Sequence, residues 1–289
     1  MATMVNVNGR ISDEGEAVIS VFDHGFLYGE GIYETLRTYN GRLFLFDRHL
    51  RRLRNSARMI KLAMPFTDDE LARNISDTIA ATKLDGEEAY VRVLVTRGVG
   101  ELTYDLEATP KPSWVIIVKA LVAPAPEIYE RGCKVAIVDV VRNHPGSVSP
   151  MIKCNNLLNQ ALAAQQAFEH GAFDGVMRNY RGELTECATS NLFIVKKETV
   201  QTPPIGCGLL PGITREIIFE IGPEVGIEVR EKVLRDDDLF NADEAFLTST
   251  TREVVPIVAV DDQVIGDGKP GAITWKLLKS FGILRARAG

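Results

Sequence analysis

The run Ala123-Pro124-Ala125-Pro126 is the sharpest break in this sequence, because two prolines in four residues remove two backbone donors and favour extended chain. It divides 289 residues, a length that suits one large or two ordinary domains, into parts that can each bury a core. The boundaries read as a smaller α/β domain over 1–120, a linker over 121–130 and a larger domain over 131–289. Hydrophobic residues at 45% and charged residues at 25% match an ordinary globular chain. The net charge, 33 − 39 = −6, is spread with both signs mixed, so no basic surface is offered to nucleic acid or anionic lipid and small-molecule partners are expected. No stretch approaches the roughly 18 apolar residues of a membrane span, and no basic segment followed by an apolar run opens the chain. Cys133, Cys154, Cys187 and Cys207 show neither metal-ligand spacing nor a disulfide framework, which fits a reducing cytoplasm and no metal site.

Residues 4–22 read as short strands turning at Asn8-Gly9, followed by a glycine-punctuated loop from Asp23 to Gly31. Gly31 to Tyr39 alternates as a strand, with Tyr33, Thr35 and Arg37 on its polar face. Asp47 reads as the N-cap of a helix to about Lys61, with Leu50, Leu53, Ala57 and Ile60 as its apolar stripe. Arg48, Arg51, Arg52, Arg54 and Arg58 lie on that helix, and periodicity does not single out one that turns inward. A second helix is expected over 68–83, and Tyr90–Thr96 and Trp114–Val118 read as paired strands. In the second half, strands are expected over 175–179, 192–196 and 227–260, with a closing helix over 273–284.

The chemistry centres on Lys153. Pro145, Gly146, Ser149 and Pro150 forbid regular structure before it, whereas Leu157, Leu158, Ala161, Leu162, Gln165 and Phe168 recur at helical spacing after it. This predicts a lysine at a helix N-terminus, where the helix dipole disfavours an ammonium and favours a nucleophilic amine able to form a Schiff base. Glu186 reads as an acid in a turn, and Gly212-Ile213-Thr214 as a helix start able to hold a phosphate. With the hydroxyl cluster Thr248-Ser249-Thr250-Thr251, these are the parts a pyridoxal phosphate site requires.

Along nearly its whole length the sequence resembles the class IV, or fold type IV, pyridoxal phosphate enzymes. This family includes branched-chain aminotransferases, D-amino acid aminotransferases, aminodeoxychorismate lyases and R-selective amine transaminases. The motifs that carry the resemblance occur in order: Tyr28-Gly29-Glu30-Gly31-Ile32-Tyr33-Glu34, His49-Leu50-Arg51-Arg52-Leu53, Ile152-Lys153, Glu186 with Thr189-Ser190-Asn191-Leu192-Phe193, Gly212-Ile213-Thr214-Arg215 and Thr250-Thr251-Arg252-Glu253-Val254. The resemblance implies a two-domain α/β (α+β) fold with pyridoxal 5'-phosphate at the domain interface, and a homodimer or higher homo-oligomer. It implies that Lys153 is the Schiff-base lysine, that Glu186 partners the pyridine nitrogen, and that Arg52, Ile213, Thr214 and Thr250 hold the phosphate. Tyr33, Tyr90, Arg92 and Thr251 would face the substrate. Tyr90-Val91-Arg92 is similar to the Tyr-x-Arg pair of branched-chain aminotransferases, which implies transamination between a branched-chain L-amino acid and the 2-oxoglutarate/glutamate pair. Thr35 and Leu157 depart from that branch, where glycine and tyrosine are usual, and point to the D-amino acid aminotransferase or 4-amino-4-deoxychorismate lyase alternatives.

Overall fold

The computed structural model describes residues 3–288, which divide into two compact units: residues to Val122 together with Ile152–Asn156, and Ala123–Met151 together with Leu157–Arg287. In the first unit six strands form an antiparallel sheet in the order Arg10–Asp13, Met4–Val7, Ser113–Ala120, Ala89–Thr96, Gly31–Tyr39 and Arg42–Leu43. Asn8 and Gly9 turn the first hairpin with φ of 52° and 96°, the doubly left-handed backbone that asparagine and glycine tolerate best. Alternation decides which face is covered: in Ala89–Thr96 the residues Ala89, Val91, Val93 and Val95 are buried, and those between them are half-buried. Helices Phe46–Met59 and Asp68–Thr82 enclose this core through Leu50, Leu53, Leu71 and Ile75. The first of these begins after Leu45 in a left-handed conformation, so Asp47 lies in the first helical turn and does not cap it. The second opens on a capping box between Thr67 and Glu70.

In the second unit a mixed sheet runs Val229–Glu231, Thr199–Thr202, Asn191–Lys196, Glu244–Ser249, Glu253–Val260, Cys133–Ile137, Asp174–Arg178 and Leu184–Cys187. Leu184–Cys187 also pairs back onto Asn191–Lys196 through Glu186 and Asn191, which closes six of these strands into a barrel and removes their free edges. Where the sequence suggested a linker over 121–130, Pro126–Arg131 is a short helix with proline at its start. The helix Asp236–Phe240 and the strand Leu184–Cys187 were not anticipated; both are too short for a clear period.

The helix after Lys153 spans Leu158–Glu169 and buries a different face from the one its large residues suggest. Leu158, Leu162 and Phe168 are exposed, whereas Ala163 and Ala167 are buried against Ala136, Val138 and Met177. Close approach explains the choice: a Cβ on Gly175 would stand 2.8 Å from the Ala163 carbonyl oxygen and 3.2 Å from the Ala167 Cβ. Only small residues on both sides let the helix lie that near the sheet. Gly175→Ala is therefore expected to lower the unfolding free energy by about 1–3 kcal/mol through overpacking, measured by denaturant titration, with the secondary structure retained.

Candidate active site

Lys153 lies in the first unit, in a segment that runs beside Gly31–Tyr39. Tyr33 N donates to the Lys153 carbonyl at 2.9 Å, Asn155 N donates to the Gly31 carbonyl at 2.8 Å, and Ile32 and Cys154 form a bridge between them. Lys153 N donates to Ser56 Oγ at 3.1 Å, which ties the segment to the helix Phe46–Met59. The helix Leu158–Glu169 starts five residues later, beyond the first turn over which a helix dipole acts, so the helix-terminus argument for Lys153 does not hold. The lysine is held by strand-like pairing instead. Its Nζ donates to the Tyr33 hydroxyl at 3.4 Å and stands 4.4 Å from the centre of that ring.

Strand register assembles the residues around it. Thr35 pairs with Arg92 and Arg37 with Tyr90, so Tyr33, Thr35, Arg37, Tyr90 and Arg92 share one sheet face. The Arg92 guanidinium lies 4.1 Å from the centre of the Tyr33 ring, so two cations contact one phenol. Tyr90 instead has Lys119 over its ring at 5.4 Å.

The opposite face of the same strand carries Glu34, 1% exposed. Arg52 donates to it twice, Nε to Oε1 at 2.6 Å and Nη2 to Oε2 at 2.9 Å, and His49 Nδ1 lies 2.8 Å from Oε2. Burial pushes the Glu34 carboxyl up, but Arg52 and then His49 outweigh it and hold the group well below the usual carboxylate range. Burial pushes the His49 imidazole down against the pull of Glu34. A neutral ring then donates Nδ1–H to Glu34 and leaves Nε2 buried without a partner. Arg52 is the one buried arginine of its helix among the described residues, while Arg54 pairs with Asp68 at the surface.

In the second unit Glu186 lies within the strand Leu184–Cys187, not in a turn. Its carboxylate is pinned by Arg142 Nε at 2.8 Å on Oε1, and by Leu210 N at 3.0 Å and Asn191 Nδ2 at 3.3 Å on Oε2. Arg142, 4% exposed, also donates to Asn159 Oδ1 at 3.2 Å. Glu186 pairs with Asn191 and Asn191 with Thr248, which sets the three side chains in a row on one face. Thr248 Oγ1 is buried without a partner. Helix Ile213–Glu224 begins at Gly212 with no side-chain cap, so its first amides are not satisfied by a capping side chain; Ile213 and Thr214 are buried there. A Cβ on Gly212 would collide with Asn191 Oδ1, so this helix start lies against the residue that holds Glu186. Thr250 and Thr251 are half-buried in the turn between Glu244–Ser249 and Glu253–Val260.

Residues 31–260 match the family model described as amino-transferase class IV. The chain belongs to this family. A protein of Methanocaldococcus jannaschii, provisionally named a branched-chain-amino-acid aminotransferase, is 37% identical over 99% of this chain and 97% of its own length. The D-alanine aminotransferase of Bacillus licheniformis is 33% identical over 92% of each chain. The crystal structure of the Escherichia coli branched-chain amino acid aminotransferase superposes with a TM-score of 0.93 at 30% identity, covering 98% of this chain and 95% of that one. Class IV aminotransferases depend on pyridoxal phosphate, and the residues present fit it. The second unit supplies helix-start amides and an orphaned buried hydroxyl suited to a phosphate, and a fixed carboxylate suited to a protonated pyridine nitrogen.

Sequence reading missed Arg142, which follows Val140 and Val141 outside every quoted motif, and it left Glu34 and His49 without roles although both stood in the quoted motifs. Their titration has a measurable consequence. His49 and Glu34 both bind protons less readily folded than unfolded, so their stabilisation is present above the unfolded pKa and is lost as pH falls. Unfolding free energy is expected to decline first below 6.5 through His49 and again below 4.5 through Glu34. A His49→Gln variant should lack the first decline in a pH series of denaturant melts.

Proposed function

We propose that the protein transfers the amino group of a branched-chain L-amino acid to 2-oxoglutarate, with Lys153 as the residue that holds the cofactor covalently and moves the proton. The observation that carries this reading is the sheet face beside Lys153 Nζ, which presents the Tyr33 phenol with the Arg92 guanidinium, and Tyr90 two residues from Arg92. A guanidinium and phenols on one face suit a substrate carboxylate. The Schiff base would engage Lys153. Glu186 would hold the pyridine nitrogen, and Arg52, Ile213, Thr214 and Thr250 the phosphate. Tyr33, Tyr90, Arg92 and Thr251 would orient the substrate. Bound pyridoxal phosphate supplies an electron sink for the charge that develops at the amino acid's Cα. Once the substrate's amino group has displaced Lys153 from the cofactor, the freed Nζ would accept the Cα proton, and the Tyr33 hydroxyl, its hydrogen-bond partner, would orient that amine. Arg142, Leu210 N and Asn191 keep the Glu186 carboxylate in one orientation while charge moves.

Leu157 supports a second reading. It carries no hydroxyl where branched-chain enzymes usually have tyrosine, and D-alanine aminotransferases stand among the relatives, so D-amino acids are the rival donors. A lyase acting on aminodeoxychorismate would need no keto acid. Free cysteines at 133, 154, 187 and 207 fit a cytoplasmic setting, and among the described residues no helix is long and apolar enough to cross a membrane. The exposed apolar side chains Phe22, Phe26, Leu102 and Tyr104 favour a homodimer.

Lys153→Ala is expected to cut turnover by roughly a thousandfold or more while leaving the melting temperature near the parent's. In single-turnover spectra L-leucine should discharge the cofactor faster than D-alanine; the reverse order would replace the branched-chain reading with the D-amino acid one. Light scattering should give twice the chain mass, and a monomer mass at micromolar concentration would remove the dimer.

A further inference from the structure

We infer that Asp174 and Arg252 are positioning residues that fix the Thr250-Thr251 turn for the phosphate and substrate contacts proposed above, a reading on which this inference rests. Asp174 is 3% exposed in the strand Asp174–Arg178. Its Oδ2 accepts from Thr189 Oγ1 at 2.8 Å, Ser190 Oγ at 2.9 Å and Arg252 Nη2 at 3.2 Å, and its Oδ1 accepts from Gly175 N at 2.9 Å. One carboxylate thus joins two turns. The first, around Thr189 and Ser190, carries the chain from Glu186 to Asn191; the second, around Thr250 and Thr251, carries it from Glu244–Ser249 to Glu253–Val260.

Arg252 repeats the link from its own side. Its Nη2 also donates to the Thr189 carbonyl at 3.3 Å and to Thr189 Oγ1, and its Nε donates to Ser249 Oγ at 3.3 Å. The guanidinium lies 5.2 Å from the Phe173 ring centre, and the Arg252 carbonyl accepts from the Tyr129 hydroxyl at 3.1 Å. This density of anchors answers a local need. The second turn contains no glycine, and Glu253 directly after it has φ of 59°, left-handed backbone that a residue with a Cβ adopts at some cost. Glu253 is itself paired with Arg285 from the closing helix Ala272–Ala288. Charge-assisted bonds therefore hold the turn at both ends and leave Thr250 and Thr251 half-buried between them. The side chain of Asp174 is 2% exposed and that of Arg252 17%, so the pair is largely withdrawn from water and its loss is not masked by solvent.

The test compares the holoenzyme with Arg252→Gln, Asp174→Asn, the double variant and Arg252→Lys. Pyridoxal phosphate retention is read by equilibrium dialysis from the visible cofactor absorbance, alongside KM and kcat and the circular dichroism of the cofactor-free protein. Each single variant should weaken retention roughly tenfold and raise KM for the amino donor more than it lowers kcat, with unchanged circular dichroism. The double variant should lose less than the two single losses combined, because both break the Asp174–Arg252 link, and Arg252→Lys should recover part of the loss. If Asp174→Asn does not fold, Arg252→Gln at the solvent edge carries the test. Unchanged retention and KM in Arg252→Gln, or losses that add in the double variant, overturn the inference. Thr250→Val separates the two levels. If it impairs retention while Arg252→Gln does not, the positioning role alone falls; if it leaves retention intact, the assignment of the turn falls and the inference with it.

Discussion

The surroundings of Lys153 depend on one buried carboxylate. Glu34 takes both nitrogens that Arg52 turns toward it and the Nδ1 proton of His49, all within the core between strand and helix. A buried ionic cluster of this kind adds little net stability, because desolvation offsets attraction, but removing one member leaves an uncompensated charge at about 3–5 kcal/mol. Its effect is on register. Tyr33 and Glu34 are neighbours in a strand and project to opposite faces, so fixing Glu34 against the helix Phe46–Met59 also fixes the rotation of the strand. That in turn sets where the Tyr33 phenol meets Lys153 Nζ. The helix completes the arrangement from the same turn region, since Ser56 Oγ receives the Lys153 amide.

The second unit uses ring closure to the same end. Glu186 and Asn191 form a pairing that helps close the ring of six strands, so the acid sits at a strand junction whose register the closed ring constrains. Three donors of fixed position then orient its carboxylate. A carboxylate so placed needs no reorganisation when a positive nitrogen is presented to it, which is the condition under which electrostatic stabilisation is largest.

How much of this was legible in the sequence varied with the range of the interaction responsible. The turn at Asn8-Gly9, the helix expected over 68–83 and the strand expected over 90–96 follow from local chemistry and appeared where expected, while the Thr67 cap of that helix came to light only in the structure. The family motifs gave the class of enzyme and its cofactor. Periodicity misled at Leu158–Glu169, where large residues spaced as a core face point outward because Gly175 demands alanines opposite it. It also misplaced Lys153 relative to the helix, because the pairing of that segment with Gly31 and Tyr33 is a long-range contact with no local signature. Arg52 could not be told from its four neighbours on the helix for the same reason: its partner, Glu34, lies on a different element. Arg142 gave no signal at all, since a cation that answers a distant acid leaves no trace in its own neighbourhood of valines.

The chain leaves the first unit after Val122, returns for Ile152–Asn156, and leaves again. Neither unit is therefore a cassette that recombination or gene truncation could lift out whole. A fragment ending at Val122 would encode the sheet and its helices but leave the Gly31 carbonyl and Ser56 Oγ without the segment they bind. A fragment beginning at Ala123 would carry the lysine with no strand to hold it. Homologous exchange with one crossover between Gly31 and Asn156 would set the strand of one parent beside the lysine segment of the other, an arrangement that holds where both parents keep this backbone register.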